Sequence, residues 1–388
     1  MRRSLVLWHR WFGLIGGIWL LLMAATGSIL VFYEEIDRAL NPDLFTASAG
    51  PSRPADALAA AAVAGRPESI VRYINLPDEP GDVARVYLAP RPAAAPIKDA
   101  PAWEVMVDPA SAVVLGLRDR NAIDLGRRGV MAFLYKFHHS LHGGPWVEWL
   151  LGLLALAWTL DHVAAVVLAV PNPRRWRDSL RLRRGVAGHK RVFDLHRAGG
   201  LWLLPVTLVL AVSGVYFNLP DTFRTVVSAA SPVTPRPDQR APDLPRPLEA
   251  PPVSFSRAVA AVPAARVDGV AYNAAKGLYW LRVFDPRDID SYGRRWIYVD
   301  ARSARVVSDS HAASGTAGDV IMAWQFPLHS GKAFGWTGRL LIFVAGLAVS
   351  GFVVTGFLIW GRKAKARRRS EAARRGRPAA GAIPAPAE

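Results

Sequence analysis

Seven of the nine histidines stand at or inside long apolar runs, and the 388 residues contain no cysteine. Imidazole is a strong ligand for haem iron and other transition metals. His9 opens the apolar run 7–32, and His196 opens the run 195–217. The two runs echo each other at one constant interval, which pairs His9 with His196, Gly13 with Gly200 and Gly27 with Gly214. The same interval sets Leu141-His142-Gly143-Gly144 against Leu328-His329-Ser330-Gly331. The chain reads as a duplicated unit with a histidine at the mouth of each apolar span, and the chemistry to expect is metal ligation by histidines from different helices.

Haem suits that arrangement. It is an apolar plate with charged propionates, and a cleft between bundle helices accommodates it. Two histidines on separate helices can grip the iron from both faces. The duplication supplies two such pairs, an inner site from His9 and His196 and an outer one from His142 and His329. Haems at opposite leaflets would carry electrons across the bilayer. His138 precedes His142 by four residues, so on one helix both would point to the same face. Either could be the outer ligand, or each could serve a different iron. His162 lies inside a span after Asp161, and it has no repeat mate, because Val349 stands where the interval would place one. It fits ligation and packing equally. Arg10, Arg197 and Arg339 are placed to meet propionates, since arginine binds carboxylate bidentately; they also read as membrane-interface anchors. Gly13, Gly16, Gly17, Gly199 and Gly200 remove bulk near the inner histidines, so that a cofactor or another helix can approach.

Plainer readings compete. An interfacial histidine can simply bond a backbone carbonyl, but two pairs at identical spacing weigh against that. His139 reads as peripheral, and His189 and His311 fall in loops without a role. Trp8, Trp11, Trp146, Trp149, Trp336 and Trp360 form an interfacial aromatic belt. A metal transporter would carry more carboxylates within its spans than Asp161 alone. No His-Glu-x-x-His supports a zinc protease, and no G-x-G-x-x-G after a strand supports a flavin or nucleotide site. No catalytic acid, base or nucleophile is assigned.

The absence of cysteine rules out thiolate chemistry, Cys-ligated iron–sulfur clusters, disulfides and covalent haem attachment. The net charge of +17 would suit nucleic acid, but its location argues otherwise. The N-terminus before the first span, the loop 171–191 and the tail after Trp360 carry the whole excess. Basic residues confined to alternate short segments beside apolar spans are the positive-inside signature. The basic loop and tail fit contact with anionic membrane lipids, or docking of an acidic electron donor.

These residues need elements to position them. The expected layout is a cytoplasmic N-terminus 1–11, four membrane spans over 12–33, 146–170, 199–219 and 336–360, a basic cytoplasmic loop 171–195 and a basic tail 361–388. The first span is too long for a signal-peptide core and is followed by Glu34-Glu35 instead of a cleavage site, so it reads as retained. Pro205 should kink the third span. Outer domains occupy 34–130 and 220–333, the second opening with a Pro-rich linker over 220–252. Strands are expected over 84–88, 103–107, 277–284 and 295–299, and a helix over 55–64. In both outer regions a strand runs into an Asp turn followed by Ser-Ala, at Asp108 and at Asp300.

Four blocks together resemble the PepSY-associated transmembrane family, the iron-regulated membrane proteins. They are Trp8-His9-Arg10-Trp11-Phe12-Gly13, Phe137-His138-His139-Ser140-Leu141-His142, Phe193-Asp194-Leu195-His196-Arg197-Ala198-Gly199-Gly200-Leu201-Trp202, and Pro327-Leu328-His329-Ser330-Gly331 with Gly335-Trp336-Thr337-Gly338-Arg339. The resemblance implies a membrane protein with four transmembrane α-helices, two α+β PepSY-like periplasmic domains and b-type haem. For the ferric-siderophore reductase branch it implies reduction of a ferric siderophore to Fe(II) in the periplasm. His9, His138, His142, His196 and His329 fall on the family's pattern, whereas His139 and His162 depart from it.

The expectation is therefore a bacterial inner-membrane haem oxidoreductase with two haem b groups and both termini cytoplasmic. It would pass electrons from a cytoplasmic or quinol donor to a periplasmic ferric chelate and bind no nucleic acid. The alternatives are a non-enzymatic PepSY protein that binds or regulates a periplasmic partner, and an accessory to metal or siderophore transport.

Overall fold

The computed structural model describes residues 2–79, 81–91, 103–263 and 265–375. Residues 92–102 of the first outer region and 376–388 of the tail lie outside the described residues. The main elements in chain order are α1 (Arg2–Leu30), α2 (Tyr33–Leu40), α3 (Ala55–Ala64), β1 (Ser69–Asn75), β2 (Ala84–Pro90), β3 (Trp103–Val107), β4 (Val114–Asp119), α4 (Val130–Ser140) and α5 (Gly144–Ala169). They continue with α6 (Gly188–Trp202), α7 (Leu204–Asn218), α8 (Pro220–Ala230), α9 (Phe255–Ala260), β5 (Val267–Asn273), β6 (Leu278–Val283), β7 (Arg295–Asp300), β8 (Val306–His311), α10 (Ala317–Ser330) and α11 (Gly335–Arg375). The chain divides into a helical unit, Met1–Ala25 with Leu153–Val212 and Val344–Glu388, and a sheet unit, Thr26–Gly152 with Ser213–Phe343.

Among the described residues three helices, α1, α5 and α11, are long and apolar enough to cross a membrane. Helices α6 and α7 pass the same test only as a pair, bent by 67° at their break. This differs from a single span over 199–219 kinked at Pro205. The bend falls at Leu203, ahead of the proline. Pro205 has no N–H, its ring crowds the carbonyl four residues back, and it disfavours helical backbone at Leu204. The chain therefore ends one helix and starts another with the proline in its first turn, where the missing donor costs nothing. Within the helical unit Leu20 of α1 packs on Val349 and Val353 of α11, flanked by Phe12, Trp19 and Trp158.

The sheet unit holds one eight-stranded antiparallel sheet in the order β4-β3-β2-β1-β5-β6-β7-β8. The outer regions 34–130 and 220–333 each contribute four of its strands. The two four-stranded halves join edge to edge, through Tyr73↔Ala271, Ile74↔Val270 and Asn75↔Gly269. An unpaired strand edge leaves backbone donors and acceptors unsatisfied, and the junction satisfies two edges at once. Alternate residues face one shared core, among them Ile74, Val86, Val105, Val270, Leu281 and Ile297, with Leu58 of α3 and Ala258 of α9 against them. The opposite face is aromatic and charged. There Tyr73 contacts Trp280 and Trp280 contacts Trp296, with ring centres 5.4 and 5.0 Å apart.

The two Asp turns are built alike. Asp108 accepts from the Ala110 and Ser111 amides, and Asp300 from those of Arg302 and Ser303. Each turn then passes through a left-handed alanine, Ala112 or Ala304, both at φ 61. Helices α4 and α10, just ahead of α5 and α11, had no sequence forecast; nor had α8, inside the expected Pro-rich linker.

Candidate metal centres: two histidine pairs

The helical unit brings His9 of α1 and His196 of α6 together, with ring centres 6.2 Å apart and planes at 69°. His9 Nδ1 lies 2.9 and 3.1 Å from the two carboxylate oxygens of Asp161 on α5, an almost fully buried side chain. His196 Nδ1 lies 3.0 Å from the Thr355 hydroxyl of α11. That hydroxyl donates to the Gly351 carbonyl at 2.8 Å, so it accepts from the imidazole.

The sheet unit repeats the arrangement with other elements. His138 in the last turn of α4 and His329 in the last turn of α10 have ring centres 6.3 Å apart and planes at 64°. His138 Nδ1 lies 2.9 Å from the Thr26 hydroxyl, and His329 Nδ1 2.7 Å from the Ser213 hydroxyl. Gly27 makes room, because a Cβ there would stand 3.0 Å from His138 Cε1. Burial pushes the His329 pKa down to about 4 and so keeps the ring neutral, the form that binds a metal.

Both ring separations are compatible with two imidazoles holding one metal ion. An imidazole nitrogen sits about 2.0–2.1 Å from its metal and the ring centre about 1.2 Å behind it, so two rings on opposite sides of one ion have centres about 6.4 Å apart. The donor chemistry agrees. All four rings have Nδ1 tied to a side-chain oxygen, the outer contact that fixes tautomer and orientation in metal-binding histidines, and Nε2 is the nitrogen not used in that contact. Among the described residues no group of three or more His, Cys, Asp or Glu converges to hold a metal ion. Next to His9 and His196 in the chain, Arg10 and Arg197 each keep a buried Nε without a hydrogen-bond partner. Arg197 already donates from another guanidinium nitrogen to the Arg181 carbonyl at 3.0 Å and pairs with the buried Asp194 at 3.4 Å, so Arg10 is the better placed of the two to meet an anionic group such as a propionate. One helical turn after each histidine, a Cβ at Gly13 or Gly200 would meet nothing within 4 Å, which leaves that face bare for a flat group.

Other sequence candidates lie elsewhere. Pairing by the repeat selects His142 for His329, but His138 takes that place. The same-face argument for positions 138 and 142 needs a continuous helix, whereas α4 ends at Ser140, and Leu141 and His142 have left-handed backbone at φ 48 and 56. His142 stacks on Phe133 and its Nε2 lies 3.0 Å from the Phe133 carbonyl. Both nitrogens of His162 are engaged, Nδ1 with the Trp158 carbonyl at 2.7 Å and Nε2 with the Thr207 hydroxyl at 3.0 Å, which suits packing and not ligation. His139 faces Glu148 at 3.6 Å. Arg339 donates to the Val31 carbonyl and to Glu35, at 2.7 and 2.6 Å, so its guanidinium is already committed.

Sequence reasoning missed the four anchors. Thr26 and Ser213 were within reach, because they too are related by the interval that links His9 with His196. Asp161 stood out only as a lone acid in a span, and Thr355 has no repeat signal.

No curated protein matches the chain. The family model for the PepSY-associated TM region matches residues 6–363. With its apolar helices, its sheet unit and that match, the chain is a membrane protein of the PepSY-associated TM region family.

Proposed function

We propose that this protein is a b-type haem oxidoreductase of the bacterial inner membrane that moves electrons outward to reduce a ferric chelate, of the ferric-siderophore class, to Fe(II). The observation that carries the reading is the pair of histidine couples at 6.2 and 6.3 Å, each ring held through Nδ1. Bound haem supplies a one-electron couple and needs no acid–base residue from the chain. The protein's own part is to hold and shield. His9 with His196, and His138 with His329, would hold the iron of each group. Asp161, Thr355, Thr26 and Ser213 fix their orientation. Arg10 meets a propionate of the first group.

In this reading α6 and α7 count as one bent span, giving four, and the constant-interval echo reflects a duplicated two-helix unit. The basic loop and tail place both termini in the cytoplasm by the positive-inside rule. The first pair then faces a cytoplasmic or quinol donor, and the sheet unit faces the acceptor. Membrane lipids are the other partners.

The test is a haem count on purified protein with dithionite-reduced spectra, followed by reoxidation with ferric chelates. Two haems per chain and rapid reoxidation are expected. A preparation without a Soret band, even after haem supplementation, would end the reading.

A further inference from the structure

The two pairs match in ring geometry but not in what holds them. At the first pair a carboxylate grips His9; at the second, both anchors are hydroxyls. A carboxylate has no proton to give in this contact, so His9 Nδ1 carries the hydrogen and donates it. The ring is thereby polarised toward imidazolate and becomes a more basic ligand. A buried negative charge close to the iron also favours its more positive, oxidised state, because the surrounding dielectric is low. Both effects lower a reduction potential. Thr26 and Ser213 carry no charge and supply neither effect at that strength. Arg197 and Arg183 share the buried Asp194, and Arg10 stands beside His9 in the chain, so these positive charges oppose Asp161 only in part.

We infer that Asp161 is a positioning residue that holds the His9–His196 centre at a lower reduction potential than the His138–His329 centre, and so gives electron flow its direction. The inference rests on the haem reading above. With a redox group held at each pair, the order of potentials would favour one-electron transfer from the first to the second, with no bond made or broken. Reducing equivalents enter from the cytoplasmic or quinol donor and leave to the ferric chelate. A merely structural carboxylate would hold the ring without ordering the two potentials.

The experiment is a potentiometric titration of the purified full-length protein, followed by its visible haem bands. The wild type should show two resolved midpoints. His329→Ala, which keeps the first centre, should retain the lower midpoint, and His9→Ala the higher. Asp161→Asn keeps an oxygen for His9 Nδ1 but removes the charge. It should retain both haems and raise the lower midpoint by a tenfold change in the reduction equilibrium or more, about 59 mV for one electron, leaving the upper midpoint in place. Asp161→Glu should restore the wild-type order. An unmoved lower midpoint in a haem-replete Asp161→Asn protein overturns the inference. If that variant loses its first haem, the single-centre proteins decide: a first centre at or above the second overturns it equally. A wild-type protein that binds no haem would sink the haem reading itself, a distinguishable result.

Discussion

The two units solve the same geometric problem with charge in different places. In the helical unit a buried carboxylate touches the histidine pair directly. In the sheet unit the pair is held by two neutral hydroxyls, and the buried ions are gathered in the sheet. There Arg118 donates to both oxygens of Asp37, at 2.9 and 2.7 Å, and to Glu104 at 2.8 Å, all three side chains being almost completely buried. A neutral and a charged anchor can give the same ring separation, so ring position is set by packing and hydrogen-bond direction. The charge of the anchor is then available for something else, and in the proposed haem reading that use is tuning the bound group.

The largest test of the comparison removes a ligand from each pair. His9→Ala should abolish one haem and His329→Ala the other, so that each protein keeps one of two equivalents and the double variant keeps none. Haem-to-protein ratios and difference spectra report this. Loss of the same single haem from both proteins would refute two centres, and the comparison with them.

Next in size is Arg118→Leu. It removes the guanidinium that Asp37 and Glu104 share and leaves two buried carboxylates with weaker partners, Asn41 for Asp37 and Arg120 with Tyr87 for Glu104; breaking a buried pair costs about 3–5 kcal/mol. Thermal unfolding and limited proteolysis of the sheet unit should register this loss, while the haem bands of the first centre persist. Simultaneous loss of both would mean that the two units melt as one, and would weaken any argument that treats them separately.

The same network sets an acid limit. Burial by itself would raise the Glu104 pKa, but Arg118, Arg120 and Arg85 outweigh it and hold it down at about 2. A depressed carboxylate pKa contributes stability in full above the unfolded value, near 4.3, and loses it as the pH falls through the folded one. The sheet unit should therefore keep this contribution at pH 5 and lose it progressively between about pH 4 and 2. Glu104→Gln should flatten that part of a stability-versus-pH curve. An unchanged slope would remove Glu104 from the explanation.

How far the sequence foretold this depends on whether the signal was local. Helix α3 and strands β2, β3, β6 and β7 were legible from their residues, as were the Asp turns, because turn chemistry is written in the turn itself. The histidines at 9, 138, 196 and 329 were legible from type and spacing. The pairing of 138 with 329 was not, since it depends on α4 ending at Ser140. The β1–β5 junction was hidden for a similar reason: an edge pairs with whatever edge the fold brings to it. Asp161 was visible as an oddity, an acid in an apolar run, but its partner lies 152 positions away, beyond any local pattern.

The smallest effect is the sharpest test of the likeness between the repeats. Thr26 and Ser213 are separated by the same interval as His9 and His196, and each holds one histidine of the second pair by a neutral hydrogen bond. Such a bond contributes about 1 kcal/mol, roughly a fivefold change in an equilibrium. Thr26→Val keeps the shape and Ser213→Ala nearly so, and neither leaves a charge exposed to an apolar surrounding. Each should weaken haem retention at the second centre severalfold, by similar factors, and leave the first centre's midpoint untouched. Competition with an apo-haem acceptor protein measures the retention. If the two losses differ by much more than the spread expected of one hydrogen bond, the positions are equivalent in sequence but not in work. One histidine would then be the principal anchor of that centre and the other the replaceable one.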